Sequence, residues 1–288
     1  MHQTLAWYFV SNTLVAGRYD PPMLFHLPGY SLPERLWRTV RRWALAWGRI
    51  VYLGAVVLVL VLSPSSYSPS ARRTLARQIY LDTAPILLGF TVLAALLALV
   101  ITRIVVVTAL SYGLSRYALE MVIRVLVLEL IPLTATLFVA MRCTIPHGTQ
   151  LALLRQSGHF EALRAHGGDP VRMELLPRVV AGVFASITLA ALSCVVALVM
   201  AYISVYGFNL AGLPGYTRMF GHVFSPAVTL VFVLKTLFSS LAVALIPTAA
   251  GMYDAGEGAA PDSELGGLAR MFAVLLLIEV GSLVGNYY

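Results

Sequence analysis

Apolar residues in this chain gather into long runs divided by short polar stretches. The first run, residues 50–62 (IVYLGAVVLVLVL), stops at Ser63-Pro64. At 1.5 Å per residue it covers about 20 Å, short of a hydrocarbon core of about 30 Å. It is expected to tilt, to re-enter, or to span only with help from residues upstream. Five longer runs follow, at 84–110, 119–141, 179–206, 226–249 and 267–285. Each is long enough to cross as a helix, which satisfies its own backbone groups in lipid. The pattern predicts an all-α integral membrane helical bundle. Five full transmembrane helices are preceded by an interfacial or partly inserted N-terminal helix. Residues 1–65 form the lead-in and 66–288 the membrane domain. Within the lead-in, residues 33–49 interleave Trp37, Trp43 and Trp47 with Arg35, Arg38, Arg41, Arg42 and Arg49, a mixture suited to the headgroup layer.

Composition agrees with the pattern. Hydrophobic residues make up 59% of the chain, charged residues only 11%, and the mean hydropathy is +0.83. Soluble domains carry about a quarter charged residues, so too few charges are present to cover a water-exposed surface. The net charge of +7 fits basic cytoplasmic loops better than nucleic-acid binding, because no basic block is accompanied by stacking aromatics. Arg72, Arg73, Arg77, Arg142, Arg155, Arg164, Arg172 and Arg178 fall on one side of the predicted topology, against Arg116 and Arg218 on the other. This places residues 142–178 in the cytoplasm, the N-terminus there too, and the C-terminus on the far side, the periplasm of a bacterial inner membrane. Cys143 and Cys194 fit no metal motif and read as small core residues. The first residues lack the basic stretch, apolar core and small-residue site of a cleaved signal.

The cytoplasmic connection reads as loop and short helix. Gln156–His166 is predicted helical, Gly167-Gly168 stop it, and Asp169-Pro170 cap and open the next helix. A short helix here suits docking to another protein, although a simple connector is an equal reading. His147, His159 and His166 are expected to be solvated loop histidines. Inside the apolar runs lie Glu129, Lys235 and Glu279. Charges at such depth pair with one another or face an aqueous cavity, unless they sit near helix ends and snorkel outward. No Gly-x-x-x-x-Gly-Lys-Ser/Thr loop occurs, so ATP hydrolysis would belong to a partner that carries ATP and Mg; no cofactor or metal is expected in this chain.

Specific stretches resemble the MlaE permease family, membrane subunits that work with Mce-domain proteins in lipid trafficking. They are Arg77-Gln78-Ile79-Tyr80, Glu129-Leu130-Ile131-Pro132 with Arg142, Asp169-Pro170-Val171-Arg172, Pro177-Arg178, Lys235 and Tyr253-Asp254-Ala255, in the family's order and spacing from about residue 75 onward. The chain departs where the family has Gly before the proline (Ile131) and a small-residue run after the arginine (Cys143 to His147). It resembles a divergent member.

The resemblance implies a permease subunit of an ABC transporter moving phospholipid or a related lipid. Its partners would be a separate ABC ATPase, a second permease copy or paralogue, and an Mce-domain protein. It implies a lipid-binding set at Ile101, Thr108, Ala109 and Tyr112. It also implies an intramembrane pair of Glu129 with Lys235, because the family's flanking Arg and Asp are Leu128 and Val228 here. Arg155, Gln156, Phe160, Glu161, Leu163, Arg164 and Asp169 would meet the ATPase. Two other readings stand beside it: a non-transporting scaffold or heterodimer partner subunit, and an integral membrane enzyme acting on lipid.

Overall fold

The computed structural model describes residues 32–63, 69–253 and 262–287, and no strand occurs among them. Helix α1 is Leu32–Leu62 and α2 is Pro69–Ser111. Helix α3 is one continuous helical rod over residues 115–156. The short α4 is His159–Ala165. Helix α5 is Val171–Tyr206, and α6 is Leu213–Val223. Helices α7, Pro226–Tyr253, and α8, Asp262–Tyr287, complete the order. The chain divides into two compact units, Met1–Trp47 and Gly48–Tyr288. In the described part of the first, Trp43 and Trp47 meet edge to face, 5.8 Å between centroids. The second unit holds α2 to α8 and the fold described below.

Among the described residues, six helices are long and apolar enough to cross a membrane. The sixth is α1, whose apolar window runs Trp43–Leu62. The shorter run expected from residue 50 onward was cut at Arg49. In the helix, the apolar residues on both sides of Gly48-Arg49 join into one stretch of 20 residues, about 30 Å long.

Among the described residues, three π-helical segments interrupt the regular helices, at Ile123–Leu130 and Ala140–Thr144 in α3 and Val171–Leu175 opening α5. They share a feature of the sequence, although Pro85 and Pro247 lie inside helices with no such segment. Each π segment ends two residues before a proline: Pro132, Pro146 and Pro177. The last wide-turn bond of each is donated by the residue just ahead of the proline, Ile131 to Leu126, Ile145 to Ala140 and Leu176 to Val171. A proline ring crowds the carbonyl four residues back and offers no N–H. Widening the preceding turn to i→i+5 bonds relieves that crowding.

Helix α3 is the most enclosed of the six apolar helices and runs through the middle of the bundle. Near α6, its Leu119, Ile123, Leu126 and Ile131 share a core cluster with Ala98 of α2, Ala197 and Ala201 of α5, and Tyr216 and Val223 of α6. Tyr216 donates its hydroxyl to the Leu198 carbonyl at 2.9 Å, and burial pushes the phenol up to about 12. Midway, Ala135, Val139 and Cys143 pack with Ile86, Phe90 and Ala94 of α2 and Ala185, Leu189 and Ala190 of α5. Near α4, a third cluster joins Leu53 and Val57 of α1 to Leu151, Phe160, Leu175, Val179 and Ala249. Small residues on α5, among them Ala181, Gly182, Ala185, Ser186 and Ala190, let it lie close to its neighbours. The tightest approach is between α3 and α7. A methyl group at Gly148 would stand 2.5 Å from the Pro247 carbonyl oxygen, and one at Gly251 would overlap the Gly148 carbonyl. Only glycine fits either position.

The stretch 142–178 is more ordered than a loop. Residues 142–156 continue α3, so Gln156 ends that helix and α4 begins at His159, after a turn at Gly158 with φ +73°. Gly167, at φ +77°, terminates α4; its N–H bonds Arg164 O and that of Gly168 bonds Leu163 O, both at 2.9 Å. Asp169 Oδ1 accepts from Val171 N–H at 3.0 Å and caps the next helix. His147 is the clear departure from expectation. Far from solvated, it is buried on α3 beside Asp82 of α2, 3.3 Å from Nε2 to Oδ1. Gln78 Nε2 donates to Asp82 Oδ1 at 3.2 Å and lies equally far from His147 Nε2. A partner 65 positions away in the chain buries this ring, and reading the stretch as a loop could not reveal it.

Candidate functional site

Besides the Asp82–His147 contact, a second cluster of ionisable groups lies between apolar helices, and it joins three of them. Glu129 lies at the end of the first π segment of α3. Lys235 and Glu279 lie inside α7 and α8. They stand about 13 Å in from the Pro226 end of α7 and the Tyr287 end of α8. Lys235 is 3% exposed and Glu129 9%. An ammonium so far out of water is costly unless its charge and its protons are both matched.

Here both are. The Lys235 Nζ contacts Glu129 Oε2, donates to Glu279 Oε1 at 2.7 Å, and donates to the backbone carbonyl of Leu128 at 3.2 Å. A lysine ammonium has three N–H donors, and this one meets three acceptors. The other oxygen of Glu129 accepts from Asn286 Nδ2 at 3.2 Å. Asn286 Nδ2 also lies 3.5 Å from Ser282 Oγ. The arrangement ties α3, α7 and α8 together through polar contacts inside an apolar wall.

The sequence reading put Glu129 with Lys235 and counted a neutral pair. The side chains of these two residues meet, and Glu279 joins them as a second carboxylate. With all three ionised, two negative charges face one positive, a net of −1. A signal for Glu279 was available: Glu279, Ser282 and Asn286 repeat at i, i+3 and i+7, a polar stripe along one face of an otherwise apolar helix.

Three of the four positions lie near the Ser111 end of α2, and Tyr112 follows directly after it. Ile101 is half-buried against the cluster that holds Leu126–Ile131, and Ala109 is half-buried; Thr108 and Tyr112 are exposed. Ile101 and Thr108 fall on one face of the helix by their spacing of seven residues. None of the four touches the charged cluster through a polar contact among the described residues.

The seven residues at the other end also divide. Phe160 is buried in the core cluster with Leu151, Leu175 and Ala249, and Leu163 is half-buried. Arg155 points inward and donates to the Met252 carbonyl at 3.1 Å. These three fasten α4 and the end of α3 to the bundle. Gln156, Glu161, Arg164 and Asp169 are exposed. Glu174 steadies the start of α5, accepting from Arg178 Nη1 at 2.6 Å, with His159 Nε2 at 3.5 Å. Helix α4 therefore presents a polar face outward over an apolar underside. Asp254 and Ala255 of the Tyr253-Asp254-Ala255 stretch lie outside the described residues. Among the described residues no group of three or more His, Cys, Asp or Glu is placed to hold a metal ion.

Among the described residues, six helices long and apolar enough to cross a membrane describe a multi-pass membrane protein. The chain matches the family description "Permease MlaE" over residues 75–283 and belongs to the MlaE permease family. It is thus an ABC transporter permease subunit, a transporter component and not a catalytic enzyme. Permeases of this family work with an ABC ATPase. Among curated proteins, no match to the chain is found.

Proposed function

We propose that this permease passes phospholipid, or a lipid of similar build, between the inner membrane of a bacterium and an Mce-domain protein in the periplasm. Energy comes from a separate ATPase that carries the ATP and Mg. The observation that supports this best is the buried Lys235 ammonium, which meets three acceptors between α3, α7 and α8. A protein with no polar task inside the bilayer has little reason to keep two acids and a base there. Rearranging those contacts gives the bundle a polar element with more than one possible pairing, which an external motor can bias. The acyl chains would run along the α2 wall at Ile101 and Ala109, with Thr108 and Tyr112 towards the headgroups.

The ATPase would dock on α4 and the residues flanking it, at the exposed Gln156, Glu161, Arg164 and Asp169. Arg155, Phe160 and Leu163 would carry its movement into α3 and α7. A second permease copy, or a paralogue, completes the assembly. The arginine distribution supports a cytoplasmic α4 and a periplasmic C-terminus. We place the N-terminus in the cytoplasm, with residues 1–65 as a lead-in that enters the membrane only in part. In support, Ile50, Leu53, Val57, Leu60 and Val61 all join clusters in the α4 half of the bundle, and the cluster nearest α6 contains no residue of α1.

Co-expression with the candidate ATPase, affinity purification on this chain and mass spectrometry of the extract test the reading. The ATPase and stoichiometric phospholipid are expected to co-purify. A chain that purifies alone and free of lipid, or one that turns over lipid unaided, contradicts it.

A further inference from the structure

Lys235 is held by one acceptor that no side chain provides, the carbonyl of Leu128. In a regular helix that oxygen is taken by the amide four residues on. The residue four positions on is Pro132, which has no N–H. The same proline ends the π segment Ile123–Leu130, whose final wide-turn bond runs from Ile131 N–H to Leu126 O. One residue therefore does two things. It removes the α-type donor that would occupy the Leu128 carbonyl, and it fixes the wide turn that sets where Glu129 points.

We infer that Pro132 is a positioning residue for the Lys235 cluster: it keeps the Leu128 carbonyl open as the third acceptor of the buried ammonium. The inference concerns the geometry of the cluster; only its consequence for transport rests on the lipid-permease reading. With alanine at 132, an amide returns. It caps the Leu128 carbonyl, and the wide turn loses its cause. Closing a π turn to an α turn removes one residue from that turn, so the two parts of α3 rotate against each other by about 100°. Glu129 then leaves Lys235, and one ammonium proton loses its acceptor.

The other two prolines make a comparison within the same chain. Pro146 and Pro177 follow their own π segments, but no lysine ammonium is bonded to the carbonyl four residues before either one among the described contacts. Their substitution should alter the helix without reaching the Lys235 cluster.

The test is a double-mutant cycle on the full complex. Pro132→Ala is made in the natural chain and in a neutral background carrying Glu129→Gln, Lys235→Met and Glu279→Gln. Thermal unfolding is followed by fluorescence-detected size exclusion. In the natural chain Pro132→Ala should lower the Tm by about 4 °C or more. In the neutral background, where no ammonium needs the carbonyl, it should leave the Tm within about 1 °C or raise it. Failure to recover Pro132→Ala alone, with normal recovery in the neutral background, supports the inference equally. Equal shifts in both backgrounds, or no shift in the natural chain, overturn it, because the proline would then act on the helix and not on the lysine. Pro146→Ala should shift both backgrounds alike. Lipid transfer in liposomes, read separately, should fall about ten-fold for Pro132→Ala. A background-dependent Tm without a transport defect would leave the positioning role intact and count against the lipid-permease reading.

Discussion

Removing Lys235 and removing one of its acidic partners are unequal changes. Without the ammonium, Glu129 and Glu279 are left facing each other with no counter-charge. Without Glu279, a neutral pair remains. Breaking a buried ion pair by deleting one partner costs about 3–5 kcal/mol. Lys235→Met is therefore expected to destabilise the chain by about 3 kcal/mol, whereas Glu279→Gln, which keeps a hydrogen-bonding oxygen, should cost about 1 kcal/mol. Thermal unfolding of the purified complex checks the order. For transport, Glu129→Ala and Lys235→Ala should each impair lipid movement, with the double variant no worse than the worse single. Strictly additive losses would argue against a shared role. Much of this site could be read from the sequence, since Glu129, Lys235 and Glu279 interrupt apolar runs. What the runs could not give was the count of partners. Glu279 needed its stripe with Ser282 and Asn286 to be recognised, and the Leu128 carbonyl is a backbone atom with no signature of its own. His147 was misplaced for a related reason: its burial depends on Asp82, on another helix.

At the scale of the element, proline is the most informative residue in the chain. Three prolines leave three π segments behind them, and the one before Pro132 carries Glu129. Proline positions are visible in any sequence. That these three widen the preceding turn, while Pro85 and Pro247 sit in regular helices, is not readable from the proline alone. Helix α4 shows the opposite balance. Its glycine stops and the Asp169 cap were readable from residue types alone, because those residues act on their own backbone. Which of its residues turn inward was not readable, because seven residues are too few for a clear apolar face. The structure separates Phe160, Leu163 and Arg155, which hold the helix down, from the outward Glu161 and Arg164. Reversing the outward charges, Glu161→Lys with Arg164→Glu, should leave the Tm within about 1 °C while lowering ATPase recovery on affinity purification several-fold. Phe160→Ala should do the reverse at first, loosening the helix, with faster amide exchange over residues 159–165. Unchanged ATPase recovery with both outward charges reversed would remove α4 as the docking surface.

For the whole molecule, hydropathy alone carried the fold class. Five runs of apolar residues became five long helices, in which each backbone finds its hydrogen-bond partners within its own segment. The first helix was the difficult case, because Arg49 divides its apolar stretch and length alone permits a crossing. Its core contacts fall in the clusters that hold Phe160 and Met271. The order of the helices around α3 was not legible. It rests on close approaches such as Gly148 against Gly251, which are fixed by shapes on two helices at once.

The central claim is that an external ATPase drives lipid through this bundle by way of the Lys235 cluster. Proteoliposomes containing the full complex, loaded with fluorescent phospholipid and mixed with an acceptor Mce-domain protein, test it directly. The account predicts lipid transfer that requires ATP, and that falls at least ten-fold with Lys235→Met while the ATPase stays bound. Transfer that proceeds at the same rate without ATP, or is untouched by Lys235→Met, would contradict it.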